Sequence, residues 1–257
     1  MICRGKCTRH VGEKSVPIVI LNEPAGDVKD LSFPKQRSFA VAQDDKSQRD
    51  FRYDECVQCS GNVTMRLTPD ILIAGYCQGL FPMADDNGEI SWYDPHPRAI
   101  IPLDTFHASK RLARRVRNGG FEIRVDHDFR AVMTACAEPR PNQGDWISPE
   151  MIDVYTALHD LGFAHCVETW RDGRLVGGLY GVAICGLFAG ESMFSRETDA
   201  SKVALVHLVE RLRRGGYVLL DSQYIVGTHM LQFGTIEIPR AEYKRRLRAA
   251  LEIETAF

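Results

Sequence analysis

Two acids and an amide are the residues whose placement could do chemistry. The run LLDSQ (219–223) sets Asp221 and Gln223 two residues apart at the end of an apolar segment. Side chains alternate along a strand, so both would point to one face. A carboxylate and an amide on one face can act together on one bound group. Read alone, the same residues also suit a strand end entering solvent. The second acid is Glu191 in FAGESMFSR (188–196), among Phe188, Met193 and Phe194. A carboxylate in apolar company is costly unless paired or hydrogen-bonded. It could receive an ammonium group, or form an ion pair with Arg196 or Lys202. Leu179, Phe188, Met193, Leu205, Leu208 and Leu220 could line a pocket for an apolar side chain; such residues are also ordinary core.

Bases cluster three times. Lys110, Arg111, Arg114, Arg115 and Arg117 form one group, Arg211, Arg213 and Arg214 a second, and Arg240, Lys244, Arg245, Arg246 and Arg248 a third. Faces of this density can neutralise phosphates and bind RNA in a salt-sensitive way. Helical Lys/Arg runs also serve as plain solvated faces. Trp92, Tyr93 and Trp146 read as loop aromatics, able to stack on an unpaired base or to pack on the core rim. His107, His159, His165 and His229 lack metal spacing such as H-E-x-x-H, so no metal site is read.

The elements that must position these groups follow from pattern and punctuation. The spacing predicts a helix over 69–78, a loop over 84–97 and a strand over 98–103. A basic helix capped by Ser109 comes next, ending at Gly119-Gly120, then a strand over 121–125 and a helix over 128–136. Ser148 and Pro149 open a helix that stops at Gly162. Strands over 163–170 and 175–184 are joined by Arg171-Asp172-Gly173, and a third follows over 187–194. Asp199 is read as the cap of a helix over 200–214. A buried strand over 217–223, a short strand over 236–238 and a helix from Pro239 complete the pattern. This order predicts an α/β (α+β) fold with a mixed sheet. A small N-terminal domain is expected over 65–97 and the main domain over 98–257, hinged in the loop.

The chain has 257 residues, 44% hydrophobic and 26% charged, with 32 Lys+Arg against 34 Asp+Glu. A net charge of −2 excludes a polyanion binder built on a large basic excess. Composition also excludes collagen, coiled coil and a disulfide miniprotein. The longest uncharged run, 175–190, is sixteen residues with five glycines, too short and broken for a membrane span. The start MICRGKCTRH lacks a secretory apolar region. A cytoplasmic protein whose eight cysteines stay thiols is therefore expected. Residues 1–64 show little periodicity and read as disordered. Cys3, Cys7, Cys56 and Cys59 could hold zinc, but their long separation favours simple thiols. Order begins abruptly after Met65, where Thr68, Pro69 and Asp70 make a helix start. The extension is expected to be non-native or disordered, with Met65 the natural start; intact mass from the native source tests this.

Together these motifs resemble the leucyl/phenylalanyl-tRNA–protein transferases. GLFPMA (79–84), WYDPHPRAI (92–100), WIS (146–148), HDLGFAHCVETW (159–170), LVGGLYGV (175–182), LFAGESMFSR (187–196), ASKVAL (200–205), LLDSQ (219–223) and IEIPR (236–240) occur in family order. Nothing before Met65 matches. The resemblance implies an aminoacyltransferase without cofactor, on a sheet similar to that of acyl-CoA N-acyltransferases. It would move Leu or Phe, and Met less well, from aminoacyl-tRNA to the N-terminal Arg or Lys of acceptor proteins. The product would carry an N-degron. By resemblance Gln223 draws a proton from the attacking amine while Asp221 polarises and orients the Gln or the amine, and the sequence does not divide the work between the two carboxylates. Glu191 binds substrate, and both acids suit a cationic acceptor terminus. The six apolar residues hold the Leu or Phe side chain in the same cleft, and Trp146 holds the terminal adenosine. Met83 stands where some members carry Trp, and YIVGTHMLQFG (224–234) fits the spacing poorly, which leaves His229 without a role. Two rivals stand beside this reading. An acetyl-CoA enzyme needs R/Q-x-x-G-x-G/A; the nearest match, RLVGGL (174–179), fails at Leu179 and sits in a strand. A non-catalytic RNA binder would ignore the attached amino acid.

Overall fold

The computed structural model describes residues 67–85, 87–139, 146–225 and 230–257, with the backbone of four two-residue strands nearer the start. Of these, β1 (Lys6–Cys7) pairs with β4 (Ile18–Val19), and β2 (His10–Val11) with β3 (Lys14–Ser15). The rest of the stretch read as an extension, and the side chains of its four cysteines, lie outside the described residues.

The main elements are α1 (Pro69–Cys77), β5 (Phe81–Ala84), β6 (Ile90–Tyr93), β7 (Arg98–Ile100), α2 (Lys110–Asn118), β8 (Glu122–Val125), α3 (Phe129–Cys136) and α4 (Pro149–Asp160). They continue with β9 (Ala164–Arg171), β10 (Arg174–Ile184), β11 (Leu187–Ser195), α5 (Ala200–Arg214), β12 (Leu219–Gln223), β13 (Ile236–Ile238) and α6 (Arg240–Ala250). The fold is a mixed α+β sheet. Among the described residues a seven-stranded sheet runs β13-β7-β12-β11-β10-β9-β8. Among the described residues only β11 and β12 pair parallel, which requires the crossover that α5 supplies.

Local chemistry starts the helices where the sequence indicates. Thr68 Oγ1 accepts from Ile71 N at 3.3 Å, Ser109 Oγ from Leu112 N at 3.2 Å, and Ser148 Oγ from Met151 N at 3.2 Å. Such caps contribute about 1 kcal/mol each. Asp199 departs from the expectation. It precedes α5 but adopts φ 68° and makes no capping bond. Its carboxylate is held instead by Arg111, at 2.5 and 3.0 Å, and by Lys202 at 3.3 Å.

The expected loop over 84–97 is largely a hairpin, β5 against β6, with Phe81 opposite Tyr93 and Met83 opposite Ser91. Trp92 and Tyr93 therefore sit in a strand. Pro82 masks the strand signal, but proline is tolerated where no partner needs its N–H. The strand expected over 98–103 stops at Ile100, and that over 217–223 begins at Leu219.

Alternation along the strands sends side chains to two cores. On one face Tyr180, Leu187, Ala189 and Leu219 pack with Tyr76 of α1, Tyr155 of α4 and Tyr243 of α6. On the other, Leu179, Phe188 and Leu220 pack with Val203, Leu205 and Leu208 of α5. A bulge breaks the alternation in β11. Tyr180 faces Ser192 and Gly181 faces Gly190, leaving Glu191 as the extra residue. Bulges re-aim side chains, and here Met193 falls to the α5 face.

Candidate active site

The floor of the site is one buried ion pair. Arg98 opens β7 and Asp221 lies in β12; each is 1% exposed. Arg98 Nε donates to Asp221 Oδ1 at 3.0 Å and Nη2 to Oδ2 at 2.6 Å. Arg98 Nη1 donates to Gly79 O at 3.1 Å, and the Tyr243 hydroxyl donates to Asp221 Oδ2 at 2.7 Å. The guanidinium also lies over the rings of Phe81 (4.9 Å) and Tyr243 (4.4 Å). Burial works against the Arg98 charge, but the Asp221 carboxylate more than offsets it and raises the guanidinium's hold on its proton. Burial, then Asp221, pushes the Tyr243 phenol well above its ordinary range, so it stays a donor.

Gln223 is fixed twice. The β12–β7 register shifts between Asp221 and Gln223, and Gln223 takes φ 65°. A non-glycine residue there costs on the order of 1 kcal/mol. The bond from Gln223 N to Asp221 Oδ1, at 2.8 Å, holds it. Its side-chain Nε2 donates to Glu191 Oε1 at 3.0 Å. The amide oxygen is thus the acceptor left to meet an incoming group. Glu191 stands at the bulge beside Tyr76, Tyr155 and Tyr180. Burial pushes its carboxyl up to about 8, the nearby Tyr76 hydroxyl pulls down, and Asp221 pushes up again. The Tyr76 and Tyr155 hydroxyls hydrogen-bond each other. All three phenols are raised well above their ordinary range, by burial first and then by Glu191.

The structure thus brings Asp221, Gln223 and Glu191 together on one face of the sheet. Leu179, Phe188, Met193, Leu205, Leu208 and Leu220 also come together, but in the cluster against α5 on the other face. The two groups meet at β11 and β12. Those strands pair only from Leu187↔Leu219 to Ala189↔Asp221, and beyond that register the Gln223–Glu191 bond bridges them. Trp146 packs on the first face, where its carbonyl accepts from Ala84 N at 3.0 Å. Glu191 takes neither ion-pair partner considered for it: Arg196 binds Glu138, and Lys202 binds Asp199. Nor do the two acids offer free negative charge. Asp221 is neutralised by Arg98, and Glu191 is held toward its neutral form.

Sequence reading missed Arg98, Tyr243, Tyr76, Tyr155 and Tyr180. A lone Arg heading the apolar RAII (98–101) was the available signal. The basic groups are partly engaged at home. Arg111 pairs with Asp199, Lys244 and Arg240 with Asp94, and Arg245 and Arg246 with Glu242. Arg114 and Arg115 line a groove with Asn118 and Gly119. Asp126, His159 and His165 bring ligand atoms within 4.8 Å of one another, a convergence that linear spacing hides. Each is engaged locally: His159 Nδ1 lies 2.8 Å from Ala164 O, and His165 Nδ1 lies 2.7 Å from Asp126 Oδ2. No disulfide links Cys77, Cys136, Cys166 and Cys185. His229 lies outside the described residues. No described helix is long and apolar enough to cross a membrane.

A mixed α+β sheet ending in a buried acid–amide couple that can align a nucleophile suits a group-transfer enzyme. Comparison makes the class specific. The family model described as leucyl/phenylalanyl-tRNA protein transferase matches residues 100–248, and that of its N-terminal domain matches 65–96. A leucyl/phenylalanyl-tRNA–protein transferase of Herpetosiphon aurantiacus is 58% identical over 196 residues, covering 76% of this chain and 100% of the relative. One from Rubrobacter xylanophilus is 53% identical over 194 residues, covering 75% and 100%. Among solved structures, a GCN5-related N-acetyltransferase-like protein from Streptococcus suis aligns with 16% identity and a TM-score of 0.30, over 62% of this chain and 58% of that one. The chain belongs to the leucyl/phenylalanyl-tRNA–protein transferase family. It is an aminoacyltransferase that carries an amino acid from tRNA to protein.

Proposed function

We propose that the enzyme moves Leu or Phe, and Met less well, from aminoacyl-tRNA to the N-terminal Arg or Lys of acceptor proteins. The reaction runs in the cytoplasm and marks the product for N-degron proteolysis. The observation that carries the reading is the array Asp221–Gln223–Glu191, with the amide oxygen of Gln223 left to meet an amine.

The aminoacyl ester is already activated, so the residues need only align the partners. The acceptor's α-amine attacks the ester carbonyl carbon. A C–N bond forms, the C–O bond to the ribose breaks, and the amine's proton ends on the ribose oxygen. Gln223 Oε1 accepts a hydrogen bond from the amine as it attacks and draws its proton outward. An amide is a feeble base, so positioning supplies most of the rate, and well-oriented groups can contribute about 7–11 kcal/mol. Asp221 polarises and orients Gln223 through its backbone N–H, and Glu191 orients it through its side chain. The preference for Arg or Lys rests on the family resemblance, because Asp221 is neutralised by Arg98.

The aminoacyl side chain enters where β11 and β12 stop pairing and rests against Leu179, Phe188, Met193, Leu205, Leu208 and Leu220. One methylene changes affinity in such a pocket by about 1–3 kcal/mol, which permits some transfer of Met. Trp146 stacks on the terminal adenosine. Arg114, Arg115 and Arg117 neutralise tRNA phosphates. Residues 65–97 are read as a small N-terminal domain and 98–257 as the catalytic domain.

The test is direct. Purified protein with Leu-tRNA and a peptide beginning with Arg should give the Leu-Arg peptide without ATP. Folded protein that transfers nothing overturns the reading, and equal affinity for charged and uncharged tRNA would favour a binding role instead.

A further inference from the structure

After α6 the chain leaves the face that holds the acids, with Leu251 still buried there. It rounds the sheet at the β10–β11 turn. Gly186 N donates to Ala250 O at 2.8 Å, the Thr255 hydroxyl donates to Cys185 O, and Ala256 N donates to Gly215 O at 3.3 Å. Phe257 thereby arrives in the opposite, apolar cluster. Its ring stacks on Phe188 with centroids 5.6 Å apart at 17°, and on His165 at 4.0 Å and 19°. It meets Tyr217 edge-on at 6.4 Å. The Phe188 ring also lies against Gly181, where a Cβ would come within 2.4 Å of it. Gly181, Tyr217 and Phe257 thus all abut the Phe188 ring.

We infer that Phe257 sets the depth of the aminoacyl side-chain pocket by holding Phe188 in place, and so acts as a positioning residue for substrate choice. The inference rests on the proposed reading, in which Phe188 lines that pocket. A smaller residue at 257 lets the Phe188 ring retreat into the vacated space. The deepened pocket then suits an aromatic side chain better than Leu, because complementary filling decides discrimination.

The experiment measures kcat/KM for Phe-tRNA and Leu-tRNA with an Arg-initiated peptide, in wild type and Phe257→Ala. The Phe/Leu ratio should rise at least about fivefold, below the effect of one methylene in a tight pocket. A purely structural role would lower both values alike, so an unchanged ratio in active wild type and variant overturns the inference alone. If Phe257→Ala does not fold, Phe257→Leu is read the same way, and an unchanged ratio there has the same force. Wild-type protein that transfers neither amino acid removes the proposed reaction, and this inference falls with it.

Discussion

Arg98 and Asp221 stand 123 residues apart in the chain and meet, both buried, through two hydrogen bonds of 3.0 and 2.6 Å. The pair joins β7 to β12 and anchors the residue that fixes the Gln223 backbone. Replacing one member leaves the other charge buried alone, which costs about 3–5 kcal/mol. Arg98→Met is therefore expected to lower unfolding free energy by that amount in urea titration. A loss below about 1 kcal/mol would mean that Asp221 has other support.

Gln223→Ala should lower kcat by roughly 100-fold or more, the range for a group that handles a proton in the transition state. Binding of aminoacyl-tRNA should barely change, because the proposed reaction puts this residue at the reacting atoms. Single-turnover transfer and a tRNA-binding titration separate the two. Equal losses in both would make Gln223 a structural residue.

Stability should depend on pH through Glu191. Its carboxyl is raised from an ordinary 4.5 to about 8, with burial the first cause. Between those values the folded state holds a proton that the unfolded state has lost. The contribution is therefore complete below about 4.5 and disappears as pH rises through about 8. Glu191→Gln removes the dependence, so wild type should lose on the order of 5 kcal/mol relative to the variant across this window. Parallel stability curves for the two proteins would refute the assignment.

Binding of tRNA should weaken steeply with salt, since phosphate contacts release counterions. Replacing Arg114 and Arg117 together by Ala should reduce the slope of log K against log salt by about one per contact removed. Transfer at saturating tRNA should stay near the wild-type rate. A slope that does not move would place the RNA on another face.

Helix starts were legible because Thr68, Ser109 and Ser148 act through neighbours three residues away. The same locality explains Asp221 and Gln223, which share a strand end. Glu191 was noticed as an acid in apolar company, yet its partner lies 32 residues on, and no pattern specifies that meeting. Arg98, Tyr76, Tyr155 and Tyr243 reach the site from four separate elements. Their roles exist only once the sheet has closed. Asp199 misled for the opposite reason: its position suits a cap, but a distant Arg111 took the carboxylate first. Alternation separates Phe188 and Leu220 from the acids, but that Met193 joins them against α5 turns on the single-residue bulge at Glu191, which alternation alone does not announce.

Arg98 also reaches outward, donating to Gly79 O at 3.1 Å and lying on the Phe81 ring, while Lys244 donates to Gln78 O. These are backbone and ring atoms of the α1–β5 unit, contributed to a guanidinium that belongs to the sheet and to an ammonium on α6. Trimming the protein to its larger unit would strip that guanidinium of a carbonyl and an aromatic lid, and would open the buried Asp221 to water. The two units are thus one working part, and neither should be expected to serve as a module in a chimera without the other.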